Sequence, residues 1–328
     1  MKVLITGASG CVGANIAKAA INAGLDARVL VRARSKRAAF EDLSVSPVQG
    51  DLLDVESLKR AVDGCAWVFH AAGLVSFWQQ NWRQAMEVNV QKTENMIAAY
   101  RSVGIERFIF TSSMSAVGHA DDPADPVDET APFNYAGMGF VYHRTKWEAE
   151  QAVLAAVHLG LPAVVLNPGL VFGERDINLS SGAMFQAVRS APFPFPVVQG
   201  GQAVCDGDDV GEAHVNAAQW GRIGERYILV SENLTNMELM TLVARVTGQK
   251  PPRRTLPRFT VKILSMALHL LERFAREEWT VTGDILAAAL LYNYGDASKA
   301  VRELSYRQTP ALVSMEKSYK WLLSQGIL

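Results

Sequence analysis

The chain has 328 residues, a formal net charge of −1 and 49% hydrophobic residues, a composition typical of soluble globular proteins. The near-neutral charge gives no electrostatic footprint for nucleic acid, and no apolar run approaches the roughly 20 residues of a membrane span. The start, MKVLITGASG, is too short an apolar run for a signal peptide. The cysteines Cys11, Cys65 and Cys205 fit neither a disulfide framework nor a metal site, so we expect a cytoplasmic protein that binds no metal.

The first half of the chain alternates short apolar runs with longer segments of helical periodicity. Strands are predicted at KVLIT, ARVLVR, AWVFH, RFIFTSS and AVVLNPG. Helices are predicted over residues 12–23, 57–62 and 83–101, and around VYHRTK. Apolar strands that alternate with helices predict a parallel sheet covered on both faces. The predicted fold class is therefore α/β, with a Rossmann-type doubly wound parallel sheet.

The second half of the chain has a different texture. SAPFPFPVVQGG is rich in proline and glycine and is predicted to be a loop. ERYILV, residues 225–230, is predicted to be a strand that returns to the sheet, and the pattern from Asn236 onward is mostly helical. We therefore predict a dinucleotide-binding domain over residues 1–169, with residues 206–233 returning to it. Residues 170–205 and 234–328 are predicted to form a smaller, mostly helical substrate lobe.

A glycine-rich loop, TGASGCVG, follows the first strand directly and opens the first helix. Gly7 allows a tight turn, Gly10 lets a diphosphate approach the backbone, and Gly13 lets the helix pack closely on the strand. The helix N-terminus then offers free N–H groups to the phosphates. Because the loop opens a β-α-β series, we predict a dinucleotide site rather than an ordinary turn.

The end of the second strand indicates which dinucleotide binds. An NAD site usually has a carboxylate there that accepts hydrogen bonds from the adenosine ribose. In this chain Arg32 follows the strand, Arg34 and Lys36 come close behind, and no acidic residue lies between them. These cations suit a 2′-phosphate, so NADP(H) is predicted over NAD(H), although a solvated basic turn has the same composition.

VYHRTK places Tyr142 and Lys146 four residues apart, on the same face of a helix. Tyrosine has a pKa of ~10, and a neighbouring ammonium and an oxidised, cationic nicotinamide both lower that pKa by favouring the phenolate. Tyr142 can then exchange a proton with a carbonyl or alcohol oxygen, while Lys146 also holds a ribose. The hydroxyls of FTSSMSAVG, at a strand end, supply a group that fixes this oxygen. We predict that these groups meet at the carboxyl edge of the sheet.

The order of these motifs resembles the extended short-chain dehydrogenase/reductases over nearly the whole chain. The resemblance rests on TGASGCVG, GDLLD, VFHAAG, NVQKT, FTSSMSAVG, YHRTK and NPGLVFG. LVR, FTSS and NPGLVFG place the chain nearest the dihydroflavonol-reductase-like and 3β-hydroxysteroid-dehydrogenase-like branch. The resemblance implies that Ser113 orients a substrate carbonyl, that Tyr142 is the acid–base residue and that Lys146 tunes it. Alignment of the serine motif favours Ser113 over Ser112.

The same resemblance implies further contacts with the dinucleotide. It puts Asp51 and Leu52 beside the adenine and Pro168 near the nicotinamide carboxamide. The full predicted cofactor set is Thr6, Gly7, Ser9, Gly10, Cys11, Val12, Gly13, Arg32, Arg34, Lys36, Asp51, Leu52, Ala71, Ala72, Gly73, Thr111, Tyr142, Lys146, Pro168 and Val171. The family also implies a homodimer formed through paired helices.

The chain departs from the family pattern at two places. NVQKT has Lys92 where the family usually has glycine, so a proton-relay role for Asn89 is not expected. Sugar-nucleotide members carry an arginine–aspartate pair where this chain has Gln202 and Ala203. That difference removes a partner for a substrate diphosphate and argues against a sugar-nucleotide epimerase or dehydratase.

Aromatic loops near the predicted crevice suit an apolar small-molecule substrate, although packing between the two lobes explains them equally well. The candidate substrate contacts are Ser76, Phe77, Trp78 and Phe193. His143 and Arg144 are expected to face solvent, and His70 is expected to be structural.

Residues 258–278, RFTVKILSMALHLLERFAREE, are apolar with sparse cations. Such a helix can lie on a membrane surface, but a helix that caps the substrate cleft or forms a dimer contact is the preferred prediction.

The predicted function is NADP(H)-dependent reduction of an apolar aldehyde or ketone, or oxidation of the matching secondary alcohol. A sugar-nucleotide epimerase or dehydratase is the alternative within the same fold. A non-catalytic NADP(H)-binding sensor or scaffold is the alternative of another class, and the retained tyrosine–lysine pair argues against it.

Overall fold

A computed structural model describes residues 1–191, 196–275, 277, 279 and 281–328. The strands of these residues are β1 (Lys2–Thr6), β2 (Asp26–Val31), β3 (Ser46–Gln49), β4 (Trp67–His70), β5 (Arg107–Thr111), β6 (Ala163–Pro168), β7 (Leu170–Phe172), β8 (Val197–Val198), β9 (Gly201–Asp206), β10 (Arg226–Leu229), β11 (Glu232–Thr235), β12 (Thr255–Leu256) and β13 (Tyr292–Asn293). Seven of them form one parallel sheet in the order β10-β6-β5-β4-β1-β2-β3. The predicted α/β class with a doubly wound parallel sheet is confirmed.

The helices cover both faces of this sheet and build most of the second half. They are α1 (Cys11–Asn22), α2 (Val55–Val62), α3 (Trp82–Met86), α4 (Lys92–Val103), α5 (Val141–Val157), α6 (Ala183–Ser190), α7 (Gly207–Trp220), α8 (Asn236–Thr247), α9 (Arg258–Glu272), α10 (Gly283–Ala288), α11 (Ser298–Leu304) and α12 (Ala311–Ser324). The long helix predicted over residues 83–101 is interrupted, because a π-helical turn, Glu87–Gln91, joins α3 to α4. Such turns carry one extra residue and often occur at functional sites.

The strands of the central sheet are apolar on both faces, as buried parallel strands must be. In β1, Val3 and Ile5 belong to the core cluster that also contains residues of α1 and α7. Leu4, between them, belongs to the cluster that contains residues of α2, α4 and α5. Because successive strand side chains point to opposite faces, this alternation places one helical layer on each side of the sheet.

The strand order reverses between β1 and β4. The chain runs outward from β1 through β2 to β3, and then returns to the other side of β1 at β4. In open α/β sheets ligands bind beyond the carboxyl ends of the strands at such a reversal. The loops after β1, β4, β5 and β6 therefore define where a functional site belongs.

The second half contains more strand than its helical pattern indicated. A second sheet has the order β11-β9-β13, with β7 also paired to β9, and a short β8–β12 pair lies apart from it. Helices α6, α8 and α12 pack beside this sheet around Phe185, Val243 and Met315. ERYILV forms β10, which pairs in parallel with β6 as predicted. The domain limits at residues 169, 206 and 233 stay a prediction.

Within the described residues, no helix combines the length and the hydropathy needed to cross a bilayer.

Candidate active site

The turn after β1 requires glycine at two positions for reasons internal to the protein. Gly7 has a φ of 77°, and a Cβ there would lie 2.7 Å from the backbone of Ala71 and Ala72. A Cβ on Gly13 would lie 2.3 Å from the Gly7 carbonyl oxygen. At Gly10 the nearest such atom is 3.5 Å away, which is ordinary contact. The fold therefore needs Gly7 and Gly13, whereas no contact within the described residues requires glycine at Gly10.

Helix α1 begins without the usual capping group. Gly10 occupies the N-cap, no side chain caps the helix, and its first turn has no acidic residue. The first N–H groups of a helix lack intrahelical acceptors, and together with the helix dipole they attract anions. Cys11, Val12 and Gly13 supply these groups, so this end of α1 fits the diphosphate of a dinucleotide.

A loop from the second half of the chain closes over the start of α1. Asn15 Nδ2 donates hydrogen bonds to the carbonyl oxygens of Cys11, at 2.9 Å, and Glu174, at 3.1 Å. The Cys11 thiol also donates to the Glu174 carbonyl oxygen, at 3.4 Å, and Asn178 Nδ2 donates to that of Ser9, at 3.0 Å. The side chain of Cys11, a predicted cofactor contact, thus makes its hydrogen bond within the protein.

The same loop is fastened by a second contact. Arg175 has a φ of 74° and binds the Asp42 carboxylate through two nitrogens, at 2.7 and 2.9 Å. It also donates to the carbonyl oxygen of Ala39. No local pattern in the sequence predicted these contacts of Arg175, because Arg175 and its partners lie more than a hundred residues apart.

The basic residues predicted to select NADP(H) lie on the surface beyond β2. Arg32, Arg34 and Lys36 are exposed, and the Arg32 N–H donates to the Ser35 hydroxyl at 2.9 Å. Beyond β3, the Asp51 N–H donates to Ser57 Oγ at 3.0 Å, and Asp51 Oδ1 accepts from the Leu53 N–H at 3.0 Å. The neighbouring Leu52 is half-buried against the core.

A hydrogen-bonded chain fixes the loop after β4, where Ala71, Ala72 and Gly73 are predicted to line the cofactor. The Ala72 N–H donates to Thr6 Oγ1 at 3.2 Å, and Thr6 Oγ1 lies 2.8 Å from His70 Nδ1. His70 Nε2 lies 3.1 Å from Thr93 Oγ1, which donates to the Asn89 carbonyl oxygen. Because the Thr93 proton is used there, His70 donates through Nε2 and accepts through Nδ1.

His70 is fully buried, and burial lowers its pKa to about 3. It is therefore neutral at physiological pH and acts as a structural link between β1 and α4, as expected. Asn89, in the π-helical turn, bonds the backbone of Leu74 through both side-chain atoms and reaches Thr145 Oγ1 at 3.0 Å. These contacts occupy the Asn89 side chain.

Ser113 and Tyr142 come together beyond the end of β5. Tyr142 is half-buried at the start of α5. Burial raises the pKa of its phenol, and a hydrogen bond with Ser113 partly opposes that rise. Ser113 Oγ also accepts from the Ser115 N–H at 3.1 Å. The neighbouring Ser112 is buried, and its hydroxyl has no partner among the described residues, so the contact with Tyr142 favours Ser113.

Lys146 lies in a pocket under the same sheet edge and is 6% exposed. Its ammonium donates to the Thr111 carbonyl oxygen at 2.8 Å and lies 4.9 Å from the ring centroid of Phe110. Burial lowers the pKa of Lys146 to about 8, and the charge of Glu150 opposes this effect. Lys146 thus holds α5 against the end of β5.

One expectation about this pair is wrong. Lys146 was expected to lower the pKa of Tyr142, but in the structure burial is the main influence on the phenol and raises its pKa. Desolvation raises the pKa because the phenolate would be charged in a poorly solvated site. Tyr142 therefore carries its proton at neutral pH.

A buried network that the sequence motifs did not reveal fixes the backbone of Ser113. Glu150 is fully buried and binds Arg226 at 3.0 Å and Asn167 Nδ2 at 2.7 Å. Asn167 Nδ2 also donates to the Ser113 carbonyl oxygen at 3.1 Å. The sequence could have suggested both residues as candidates. Glu150 lies one helical turn after Lys146, and Asn167 directly precedes Pro168, which ends β6.

Thr111 is held from the other side of the sheet. His214 Nδ1 lies 2.7 Å from the Val210 carbonyl oxygen, which can only accept, so this nitrogen carries the proton. Its Nε2 accepts from Thr111 Oγ1 at 2.8 Å. Burial lowers the pKa of His214 to about 4. The predicted cofactor contact Val171 lies in β7, which pairs with β9.

On the predicted substrate side, the Phe77 ring lies against Tyr142, with centroids 5.4 Å apart. Ser76 and Trp78 are buried, and Ser76 Oγ accepts from the Trp78 N–H at 3.3 Å and from Asn81 Nδ2 at 3.0 Å. These two residues support the loop that carries Phe77. Phe193 lies outside the described residues.

His143 does not face solvent as expected. It is 3% exposed and lies among aromatic rings, 4.4 Å from Tyr135 and 5.0 Å from Phe140 between centroids, and burial lowers its pKa to about 3. The segment that leads into α5 and the distant loop that carries Phe77 cover this face of the helix. Arg144 is exposed, as expected, and pairs with Glu148 at 2.8 Å.

Comparisons with known proteins agree with this geometry. Residues 3–229 match the model of the NAD dependent epimerase/dehydratase family. A Synechocystis protein provisionally named dihydroflavonol 4-reductase is 30% identical over 327 residues, which cover 98% of this chain and 94% of that protein. Sterol demethylase protein B of Methylococcus capsulatus is 28% identical over the full length of both chains. The crystal structure of gox2253 is 32% identical and covers 99% of both chains, with a TM-score of 0.88.

The glycine turn yields a paired test. Gly13→Ala places a methyl group against the Gly7 carbonyl oxygen and should lower the melting temperature by several degrees. Gly10→Ala meets ordinary contact within the protein and should leave the melting temperature nearly unchanged, while it weakens binding of the dinucleotide. Thermal unfolding and fluorescence titration with NADPH measure the two effects. Equal melting temperatures for the two variants would contradict this assignment of roles.

Proposed function

Because the chain belongs to the NAD dependent epimerase/dehydratase family, we propose that it reduces an apolar aldehyde or ketone with NADP(H), or oxidises the matching secondary alcohol. Its relatives are named as reductases and dehydrogenases, and the chain is an oxidoreductase. The observation that carries the proposal is the buried Lys146 bonded to the Thr111 carbonyl oxygen one helical turn from Tyr142, at the carboxyl edge of the sheet where Ser113 lies.

In the proposed reaction Tyr142 is the proton donor. When bound, the dinucleotide supplies or accepts the hydride at carbon. A phenol with a raised pKa is protonated at neutral pH, so it is ready to donate to a carbonyl oxygen that gains negative charge. Ser113 orients that oxygen by a hydrogen bond. Both the protonated phenol and the reductase names of several relatives favour reduction.

Lys146 is proposed to act in two ways. Its ammonium donates to the Thr111 carbonyl oxygen and so holds the first turns of α5 in place. This contact positions Tyr142, which lies one helical turn away. The same group has further donors that suit the hydroxyls of a ribose. Gly73 lies next to it, since a Cβ built there would be 3.9 Å from the Lys146 nitrogen. The loop after β4 and this cation therefore border the same space.

The choice of NADP(H) rests on the charge beyond β2. Arg32, Arg34 and Lys36 are exposed, and the sequence has no carboxylate between the end of β2 and Lys36. An adenosine 2′-phosphate is dianionic near neutral pH and gains from such a cluster, whereas an unmodified ribose gains little.

The proposed substrate is apolar because the Phe77 ring borders Tyr142. A ring placed there excludes water from the reacting oxygen and offers a flat apolar contact. The relative named sterol demethylase protein B fits the same class. Gln202, where sugar-nucleotide enzymes were expected to carry arginine, accepts a hydrogen bond from Asn293 at 3.3 Å. This position thus offers no cation to a substrate diphosphate.

Replacing the phenol tests the proton transfer. Tyr142→Phe should lower kcat for NADPH-dependent carbonyl reduction by about 10²- to 10⁴-fold, because the proton donor is lost. NADPH binding, measured by fluorescence titration, should persist. Tyr100→Phe is the control, since Tyr100 donates to the carbonyl oxygen of Gly160, in the loop before β6, and should keep full activity. Wild-type turnover by Tyr142→Phe would refute the mechanism.

The pH profile tests Lys146. Below pH 8 its ammonium is charged, and above that pH it is neutral, because burial lowers its pKa to about 8. We expect kcat/KM to fall as the pH rises through about 8. In Lys146→Arg the guanidinium stays protonated, so the residual activity should not show this fall. A fall of the same shape in that variant would assign the titration to another group.

Cofactor selection can be measured directly. Arg34→Ala and Lys36→Ala, in one chain, should raise the Kd for NADPH by about tenfold or more and leave the Kd for NADH unchanged, because charge-assisted hydrogen bonds to a phosphate are lost. Arg101→Ala on α4 serves as the matched surface control. Tighter binding of NADH than of NADPH by the unmodified protein would overturn the assignment.

A further inference from the structure

We propose that the outer face of α9 docks on the surface of an anionic phospholipid bilayer. This outer face consists of Phe259, Ile263, Met266 and Leu270, which a spacing of three or four residues places on one side of the helix. The inference goes beyond the proposed reaction and does not depend on it.

The outer face is exposed to a degree that is unusual for large apolar residues. Phe259 is 73% exposed, Met266 72%, Leu270 57% and Ile263 52%. Phe274, which follows the helix, continues the face and is 81% exposed. Single exposed apolar residues are ordinary, but a contiguous set on one helix marks an interaction site or a membrane contact.

The opposite face of α9 is firmly anchored, so the exposure does not come from a detached helix. Val261 is fully buried, and Ser265 Oγ donates to the Gly283 carbonyl oxygen at 2.9 Å. Glu272 accepts from the Gly283 N–H at 2.6 Å, and His269 Nε2 lies 2.8 Å from Asp284 Oδ1. Helix α9 therefore has a buried side, which packs on α10, and a fixed apolar side, which faces outward.

The charge of the segment identifies the partner. Exposed cations lie on α9 and in the residues that flank it, whereas the sole acidic residue between 249 and 275 is Glu272, which is buried; the exposed Glu277 follows Phe274. The cations are Lys250, Arg253, Arg254, Arg258, Lys262 and Arg273. None of them forms an ion pair with a residue that the structure describes. An apolar stripe with unneutralised cations beside it is complementary to acyl chains below anionic headgroups.

A second copy of the chain fits this face less well. In a two-fold symmetric contact the same patch meets itself, so Arg258 and Lys262 of one copy would face the same cations of the other. Helix α9 itself has no exposed carboxylate to neutralise them, and like charges in a desolvated contact are costly. A bilayer with anionic lipids satisfies the apolar and the cationic groups together.

Docking by this face would also bring the candidate active site close to the lipid. Thr282 Oγ1, next to α10, donates to the Phe77 carbonyl oxygen at 3.3 Å, and Gln79 Nε2 donates to Asp284 Oδ1 at 3.2 Å. The loop that carries Phe77 is thus fastened to the same unit as α9. An apolar substrate dissolved in the bilayer would then have a short path to Tyr142, a point that does rest on the proposed function.

Sedimentation with sucrose-loaded vesicles tests the docking. The full chain should sediment with phosphatidylglycerol vesicles but not with phosphatidylcholine vesicles, and added salt should release it. Phe259→Ser with Met266→Ser should weaken binding to the anionic vesicles by roughly tenfold or more. Arg258→Glu with Lys262→Glu should weaken it by at least about 25-fold, because two attractive charges become repulsive.

Leu159→Ser is the matched control, because Leu159 is 71% exposed on a different part of the surface. It should bind the vesicles like the unmodified chain. Unchanged melting temperatures show that each variant is folded. The proposal is overturned if the unmodified chain does not sediment with anionic vesicles at low salt, or if the control loses binding as much as the α9 variants. It is also overturned if light scattering finds a dimer that Phe259→Ser with Met266→Ser converts to monomers, because a second copy then covers the face.

Discussion

The candidate site depends on one buried hydrogen bond, from the Lys146 ammonium to the carbonyl oxygen of Thr111. This hydrogen bond joins α5 to the end of β5. It therefore sets the distance between α5 and the carboxyl edge of the sheet. An ammonium is costly to bury, and the cost is visible in its pKa, which burial lowers to about 8. The site tolerates this cost because the carbonyl oxygen, the Phe110 ring and the nearby Glu150 all favour the charged form.

Two further sets of contacts fix the residues around this hydrogen bond. His214 holds the hydroxyl of Thr111, and Glu150 holds Asn167, which in turn holds the carbonyl oxygen of Ser113. The three histidines nearest to the sheet edge have lowered pKa values because they are buried: His70, His143 and His214. They stay neutral at physiological pH and add no positive charge beside Lys146. The charges near the sheet edge are therefore those of Lys146, Glu150 and Arg226, while the histidines contribute hydrogen bonds without charge.

The sequence predicted the elements whose signals are local. The glycines of the first turn and the strand runs of the central sheet are short patterns with a direct geometric meaning, and the Rossmann-type sheet is confirmed. The position of Tyr142 and Lys146 on one helix follows in the same way. Strands β7, β9, β11 and β13 escaped prediction, since β7 and β13 have only three and two residues, and β9 (GQAVCD) and β11 (ENLT) begin and end with polar residues or glycine.

Signals that depend on distant contacts could not be obtained from the sequence. His143 was expected to face solvent because it lies between two functional residues on an amphipathic helix, but Tyr135 and Phe77 arrive from loops outside that helix. The direction of the pKa shift of Tyr142 depends on how much water the assembled site excludes, which no spacing encodes. The Glu150–Arg226 pair likewise joins residues that are 76 positions apart.

The contacts that the loop around Glu174 makes with the start of α1 have a consequence for the stability of the nucleotide-binding half. Asn15 and the Cys11 thiol find acceptors on Glu174, and Arg175 reaches back to Asp42, so residues beyond 169 complete the first β-α-β unit. Helix α7 also packs along α1. An N-terminal fragment that ended near residue 169 would leave these polar groups without acceptors and the apolar side of α1 without its cover. We therefore expect the first β-α-β unit to depend on residues beyond 169 for part of its stability.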